Sequence, residues 1–140
     1  MKKVLFACAE NKKRSQMAEA IFNHLAKKTV AESAGTMPAK VVDPKIEGIL
    51  AERGISFTPH TPRKISDTAI READFIISFG CLVPSFFPKE KFEEWVIDDP
   101  ETPEEYRQAG DNIFKKVREL ITKHICSRLP YFQIILESSS

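Results

Sequence analysis

The sequence of 140 residues has no long hydrophobic run and no excess of charge of one sign. No apolar segment approaches the ~20 residues that an α-helix needs to cross a bilayer, so no membrane-spanning helix is predicted. The formal net charge of +1 is typical neither of a nucleic-acid-binding protein nor of a protein that works on a membrane surface. Lysines and an arginine follow the short N-terminal apolar run, which argues against a secretory signal peptide.

Cysteine is also scarce, with Cys8, Cys81 and Cys126 as its three occurrences. A small, odd number argues against the disulfide framework of a secreted protein and for reduced thiols with a chemical role. The three histidines lack the spacing of metal ligands, so no metal site is predicted. We expect a cytoplasmic protein with one domain over residues 1–125 and a C-terminal tail of unknown role over residues 126–140.

One stretch near the N-terminus carries the strongest chemical signal. Residues 4–7 are a short apolar run that predicts a buried strand, and from Gln16 onward apolar residues recur at helical spacing. Cys8 and Arg14 therefore lie in a polar loop between the end of a strand and the start of a helix. The start of a helix attracts anions, and the same field is expected to lower the pKa of a thiol.

Strands and helices alternate along the rest of the chain. We predict strands over residues 4–7, 30–34, 75–79 and 95–98, and helices over residues 16–28, 43–54, 66–73 and 103–125. This alternation is typical of an α/β fold with a parallel sheet, right-handed crossovers and helices on both faces. The expected sheet has four parallel strands.

Three of the four predicted strand ends carry reactive side chains. Cys8 follows the first strand, Cys81 the third and Asp99 the fourth. Ligands of parallel sheets bind beyond the carboxyl ends of the strands. The fold class by itself therefore predicts that these three residues meet at one edge of the sheet.

The loop after Cys8 has the composition of an oxyanion-binding site. Successive N–H groups and the fork of Arg14 could hold a tetrahedral oxyanion, with the Cys8 thiolate beneath it for in-line attack. The predicted anion-binding residues are Ala9, Glu10, Asn11, Lys12, Lys13, Arg14 and Ser15. The alternative interpretation is a buried structural Cys8 beside a solvated basic turn.

Two polar residues of the loop have two interpretations each. Ser15 either donates its hydroxyl to the thiolate or caps the first helix. Asn11 either takes a left-handed backbone conformation or is an ordinary polar loop residue.

The other two reactive residues also have alternatives. Asp99, oriented by Pro100, could protonate a departing oxygen or be a solvated acid. Asp98 competes for the acid role. Side chains alternate along a strand, so the two carboxyls lie on opposite faces and only one of them can point into the site. Cys81 could attack a sulfur-bound intermediate and form a disulfide, or pack as a small buried hydrophobe.

With these residues in place, the chain resembles the low-molecular-weight tyrosine phosphatases and the arsenate reductases built on the same fold. Residues 4–22 carry the closest match, and the glutamine after Arg14-Ser15 is closer to the reductases, whereas the phosphatases favour proline. Further matches lie at residues 32–36, 50–55, 79–81 and 95–100, so that the resemblance covers roughly residues 3–124. It implies a flavodoxin-like three-layer sandwich with four residues in named roles: Cys8 as nucleophile, Arg14 as anion clamp, Asp99 as general acid and Cys81 as resolving thiol.

The resemblance implies reduction of arsenate to arsenite without a tightly bound cofactor and with an external thiol reductant, thioredoxin or a small thiol. One alternative is a phosphatase acting on phosphotyrosine or small phosphate esters, and a second is a non-catalytic oxyanion-binding module.

Four differences from the relatives have consequences. Glu10 and Lys13 stand where relatives carry small or neutral residues, and Glu10 is expected to repel a divalent anion unless Lys12 or Lys13 neutralises it. Residues 82–88 lack the third cysteine of thioredoxin-coupled reductases, which leaves one resolving thiol. Residues 101–105 lack the aromatic side chains with which the phosphatases flank a phosphotyrosine ring.

Overall fold

A computed structural model of the chain describes residues 3–26, 29–82 and 84–125. Its strands are β1 (Lys3–Cys8), β2 (Val30–Gly35), β3 (Phe75–Ser78) and β4 (Phe92–Glu94), and its α-helices are α1 (Arg14–Leu25), α2 (Lys45–Ala51), α3 (Asp67–Glu72) and α4 (Pro103–Leu120). One turn of π-helix, Ile121–Ile125, continues α4, and two short 3-10 turns, Pro84–Phe86 and Lys89–Lys91, precede β4. Cys126 and the rest of the expected tail lie outside the described residues.

The four strands form one parallel sheet in the order β2-β1-β3-β4. This agrees with the predicted fold class, in which a parallel sheet is built from alternating strands and helices. The register pairs Cys8 with Gly35 and Ala7 with Ser78. The carboxyl ends of the three neighbouring strands are therefore level, and the loops that follow them start side by side.

Side chains alternate across β1 and supply both faces of the sheet. Val4 and Phe6 belong to a core cluster shared with α1, α2 and α4. Leu5 and Ala7 belong to a second cluster on the opposite face, with residues of α3 and of the segment that precedes β4. The result is the expected three-layer sandwich, and no helix in the described ranges is long and apolar enough to cross a membrane.

The fourth strand lies three residues earlier than predicted, and residues 95–98 are not part of it. Phe92 pairs with Ile76, and the ladder ends where β3 ends, at Ser78. The apolar alternation over residues 95–98 has another origin, because Trp95 and Ile97 bury their side chains in the larger core cluster. The alternation over residues 95–98 therefore reflects packing against the core and not pairing within the sheet.

The helix boundaries follow local capping chemistry. Pro103 begins α4 as predicted, behind a capping box formed by Thr102 and Glu105. Ser66 caps α3 as predicted, accepting a hydrogen bond from the Ala69 amide at 3.0 Å. The first helix begins at Arg14, two residues before the predicted start, which brings this arginine into the first turn of α1.

Candidate active site

The thiol of Cys8 lies at the last residue of β1 and is nearly enclosed, with 5% of the residue exposed. Its Sγ is 3.0 Å from the Oγ of Ser15 and accepts a hydrogen bond from the Asn11 amide at 3.2 Å. The structure thus places Ser15 within hydrogen-bond distance of the thiol, as its predicted role beside the thiolate requires. Its interpretation as a helix cap is wrong, because Lys13 occupies the N-cap position of α1.

Burial raises the pKa of the Cys8 thiol above its ordinary value. The hydrogen bonds from Ser15 and from the Asn11 amide lower the pKa of Cys8 in part, and the charge of a Cys81 thiolate raises it. The prediction of a depressed pKa is thus wrong in direction, because desolvation outweighs three hydrogen bonds that lower the pKa, two from Ser15 and one from the Asn11 amide.

The backbone of the loop after Cys8 is held by hydrogen bonds of its carbonyl groups. The carbonyls of Cys8, Ala9 and Glu10 accept hydrogen bonds from the amides of residues 36, 37 and 39, at 3.2, 2.7 and 2.9 Å. In a trans peptide the next N–H points opposite to the carbonyl, so the amides of residues 9–11 face the other way. The third of them is the Asn11 amide that binds the thiol. Backbone amides that lie on one side of such a loop are suited to hold an oxyanion, as predicted for residues 9–15.

Asn11 holds the loop in shape. It is fully buried and has a φ of 54°, the left-handed conformation predicted for it. Its Nδ2 donates to the hydroxyls of Ser15 and Ser33 at 2.8 and 3.0 Å, and its Oδ1 accepts from the Arg63 amide at 3.0 Å. One side chain therefore ties the loop to α1, to β2 and to the segment before α3.

A buried polar network continues behind Asn11, and the sequence did not predict it. The Ser33 hydroxyl donates to Glu19 Oε1 at 2.7 Å, and His60 Nε2 lies 3.0 Å from the same oxygen. Gln16 Nε2 donates to the carbonyls of Asn11 and His60, both at 2.9 Å. One feature of the sequence could have indicated this network: Gln16 and Glu19 lie on the apolar side of α1. Buried polar side chains need hydrogen-bond partners, so partners for these two residues were to be expected.

Arg14 reaches across the carboxyl edge of the sheet. Its NH1 group donates to the carbonyls of Phe79 at 3.1 Å and Ile97 at 2.6 Å, and its Nε lies 3.7 Å from Asp99 Oδ1. Both carbonyl bonds use the same terminal nitrogen. The guanidinium is thus fixed beyond the ends of β3 and β4, and its charge lies where the fold predicts a ligand.

Asp99, and not its neighbour Asp98, is the carboxylate that faces this arginine. Asp99 is about half exposed on its side chain, and its two oxygens approach Arg14 Nε and Lys13 Nζ at 3.7 and 3.5 Å. The topology therefore brings Asp99 to Arg14 at the predicted edge, although residue 99 lies beyond the strand rather than directly at its end.

The two unusual charges of the loop are each paired. Glu10 is exposed and forms an ion pair with Lys12 at 3.1 Å, which raises the pKa of Lys12. Lys13 extends instead toward residues 99 and 100, where its Nζ donates to the Pro100 carbonyl at 3.0 Å. Lys12 is therefore the residue that offsets the carboxylate of Glu10.

Cys81 lies in the loop after β3, next to Gly80, which has a φ of 86°. Its thiol is exposed, so its interpretation as a small buried hydrophobe is wrong. Gly80 allows the turn that brings residue 81 out of line with the strand. A free thiol that solvent and partner proteins can reach thus lies on the same edge as Cys8.

Comparisons with known proteins agree with this geometry. The model of the low molecular weight phosphotyrosine protein phosphatase family matches residues 3–80. A glutaredoxin arsenate reductase of Synechocystis sp. is 32% identical over 129 residues, which are 88% of this chain and 98% of that protein.

Two solved structures of arsenate reductases have the same architecture. One, in a phosphate-binding state, superposes with a TM-score of 0.79 at 32% identity, covering 88% of this chain and 98% of that one. The other, a thioredoxin-dependent arsenate reductase of Corynebacterium glutamicum, has a TM-score of 0.75 at 27% identity. It is the longer protein: the match covers 91% of this chain but spans only 64% of that protein's length.

Proposed function

Because this chain belongs to the low molecular weight phosphotyrosine protein phosphatase family, we propose that it is an arsenate reductase that uses Cys8 as its nucleophile. The resemblance drawn from the sequence is thereby confirmed at the level of the family. Relatives that match nearly the whole of their own length are named arsenate reductases. The substrate, the reductant and the roles of individual residues below are parts of the proposal.

One observation carries the proposal: two cysteines lie at the carboxyl ends of neighbouring strands, one enclosed and one exposed. The enclosed thiol of Cys8 lies on the side of the loop to which the amides of residues 9–11 turn. The exposed thiol of Cys81 lies in the loop that follows β3, the strand that pairs with β1, and so at the same edge of the sheet. Phosphate-ester hydrolysis needs the first of these groups, whereas reduction of an oxyanion needs a second thiol as well.

In the first step the Cys8 thiolate attacks the arsenic of a bound arsenate. A sulfur–arsenic bond forms and an arsenic–oxygen bond breaks, and the departing hydroxyl takes a proton from Asp99 and leaves as water. Ser15 and the Asn11 amide stabilise the thiolate against the cost of burial. Arg14 and the loop amides hold the remaining oxygens of the arsenate.

In the second step the Cys81 thiolate attacks the sulfur of Cys8. A sulfur–sulfur bond forms and the sulfur–arsenic bond breaks, and its electron pair stays on arsenic, which leaves as arsenite. Arsenic gains two electrons and the two thiols lose two. An external thiol must then reduce the disulfide, and the exposure of Cys81 makes this residue the point of attack.

The reductant is an external thiol, with thioredoxin, glutaredoxin or a small thiol as the candidates. The relatives include enzymes named for glutaredoxin and for thioredoxin dependence, and each of these reductants transfers electrons by thiol–disulfide exchange. Such reductants work in reducing compartments, and we propose the cytoplasm as the site of action.

A phosphatase is the second candidate, because the matching family model describes phosphotyrosine phosphatases. The loop of residues 9–15, called the anion loop below, and Asp99 would serve phosphate-ester hydrolysis equally well. The first aromatic residue after Pro100 is Tyr106, but it is 1% exposed and its hydroxyl donates to Asp43. Tyr106 therefore has no free face with which to flank a phosphotyrosine ring, which favours the reductase.

The test compares the wild type with Cys8→Ser in two assays. In the first, each protein receives arsenate together with thioredoxin, with glutaredoxin plus glutathione, or with dithiothreitol. In the second, each protein receives an aryl phosphate. We expect arsenite from the wild type with at least one donor and none from Cys8→Ser. Aryl phosphate hydrolysis without any arsenite would contradict the reductase and support the phosphatase. Arsenate binding without turnover of either substrate would identify a binding module instead.

A further inference from the structure

We propose that Lys13 is a positioning residue that acts through Asp99, by holding the turn that carries this carboxylate over the anion loop. The inference rests on the proposed function, in which Asp99 supplies the proton to the departing oxygen.

Lys13 is poorly suited to its place in the helix. It occupies the N-cap position of α1, and its side chain makes no hydrogen bond to the helix. Ser, Thr, Asp and Asn are preferred at this position, and the positive end of the helix dipole disfavours a cation there. Local helix formation therefore does not explain a lysine at residue 13, and such local misfits are expected at functional sites.

The side chain of Lys13 makes its contacts far along the chain. Its Nζ donates to the Pro100 carbonyl at 3.0 Å and lies 3.5 Å from Asp99 Oδ2. It also lies 5.7 Å from the centre of the Tyr106 ring, and the side chain is only 15% exposed. A long, flexible side chain is thus held in one place beneath the turn at residues 99 and 100.

Lys13 and Arg14 hold this turn at two points. Arg14 donates to the Ile97 carbonyl and faces Asp99 Oδ1, whereas Lys13 donates to the Pro100 carbonyl and faces Oδ2. The carbonyls that are bound lie on either side of Asp99 in sequence, and each carboxylate oxygen has its own cation. Because the Asp99 side chain is 53% exposed, packing alone does not determine its direction.

A general acid must aim its proton at one atom. Proton transfer needs a heavy-atom distance of roughly 2.6–3.2 Å, and small misplacements of a catalytic group lower the rate steeply. Loss of Lys13 frees one oxygen of Asp99 and one carbonyl of its turn, while Arg14 and the loop amides still hold the substrate. The loss is therefore expected in kcat rather than in KM.

The experiment is a double-mutant cycle on Lys13→Met, Asp99→Asn and the double variant, with Lys13→Gln as a second truncation and Lys13→Arg as the conservative replacement. Lys45→Met is the matched control, because Lys45 Nζ lies 5.5 Å from the centre of the same Tyr106 ring but is not paired with Asp99. Initial rates give kcat and KM for arsenate and for an aryl phosphate, and thermal unfolding monitors the fold.

We expect Lys13→Met and Lys13→Gln to lower kcat by about tenfold with KM nearly unchanged, Lys13→Arg to recover most of the loss, and Lys45→Met to match the wild type. In the Asp99→Asn background, loss of Lys13 should have no further effect, because the group on which it acts is gone. This pattern distinguishes positioning from a general loss of stability, which would persist in both backgrounds.

Three results overturn the inference: multiplicative losses in the double variant, an increase in KM without a loss of kcat, or an Asp99→Asn variant with wild-type kcat on both substrates. Failure of the proposed function gives a different result. If the wild type hydrolyses the aryl phosphate but makes no arsenite, the proposed reductase function is wrong. The double-mutant cycle, measured with the aryl phosphate as substrate, then still tests the role of Lys13. A wild type that turns over neither substrate overturns both.

Discussion

The Oγ of Ser15 lies 3.0 Å from the Sγ of Cys8, and both residues are buried. This contact joins the end of β1 to the first turn of α1 across the whole anion loop. It lowers the pKa of the thiol, against the larger opposite effect of burial. The hydroxyl is therefore one of three hydrogen-bonding groups that favour the charged thiol, together with the backbone amides of Asn11 and Ser15.

Ser15→Ala should raise the pKa of Cys8 and lower kcat. A hydrogen bond to a charged group contributes about 1.5–3 kcal/mol, so we expect a loss of roughly 10–100-fold in kcat. The measurement is the pH dependence of alkylation at Cys8, followed by peptide mass spectrometry, with the midpoint moving to higher pH in the variant. An unchanged midpoint would show that the hydroxyl does not stabilise the thiolate.

Cys81→Ser should abolish sustained arsenate reduction with a protein dithiol as donor. The Cys8–arsenic bond still forms, but the intramolecular thiol that breaks it is missing. Any aryl phosphate hydrolysis should stay at the wild-type level, since water resolves that intermediate, and this activity serves as the control. Full arsenate turnover by Cys81→Ser would mean that the reductant attacks Cys8 directly.

Gly35→Ala should destabilise the protein and distort the anion loop. A Cβ at residue 35 would lie 2.5 Å from the Ala9 carbonyl oxygen, a backbone atom that cannot swing away. We expect a cost of about 1–3 kcal/mol, as for other overpacking substitutions, measured as the free energy of unfolding in urea, together with weaker binding of phosphate.

Gly48→Ala is the matched control for that prediction. Gly48 lies inside α2, and a Cβ there would meet nothing within 4 Å. An alanine in a helix interior is favoured over glycine by about 0.5–1 kcal/mol. If the two substitutions have the same effect on stability, close packing at Gly35 is not what the loop requires.

Asn11→Gly and Asn11→Ala should separate the two contributions of this residue. Both remove its three side-chain hydrogen bonds, but glycine keeps the left-handed backbone at little cost, whereas alanine adds roughly 1–2 kcal/mol. Chemical denaturation of both variants measures the difference. Equal stabilities would show that the backbone at residue 11 relaxes when the side chain is removed.

The strand–loop–helix unit at the N-terminus could be read from the sequence because its causes are local. Residues 4–7 are continuously apolar, helical periodicity follows, and the loop between them contains Asn11 at the one position with a left-handed backbone. The parallel sheet followed from the alternation of elements, and with it the meeting of Cys8 and Cys81 at one edge.

The position of the fourth strand could not be predicted in this way. Trp95 and Ile97 alternate as residues of a strand do, yet the length of β3 determines which residues pair, and β3 ends at Ser78. The polar network behind Asn11, which runs through Ser33 to Glu19 and His60, could not be predicted from the sequence either. Its contacts join residues that are up to 41 positions apart.

The sequence by itself determined the proposed nucleophile, the proposed anion loop and the edge of the sheet at which the reactive residues lie, since periodicity and chain order are properties of the sequence. Only the tertiary structure decided the direction of the Cys8 pKa shift, the pairing of Glu10 with Lys12 and the contact of Lys13 with Asp99. Each of these depends on burial or on distances between segments, and neither quantity exists before the chain has folded.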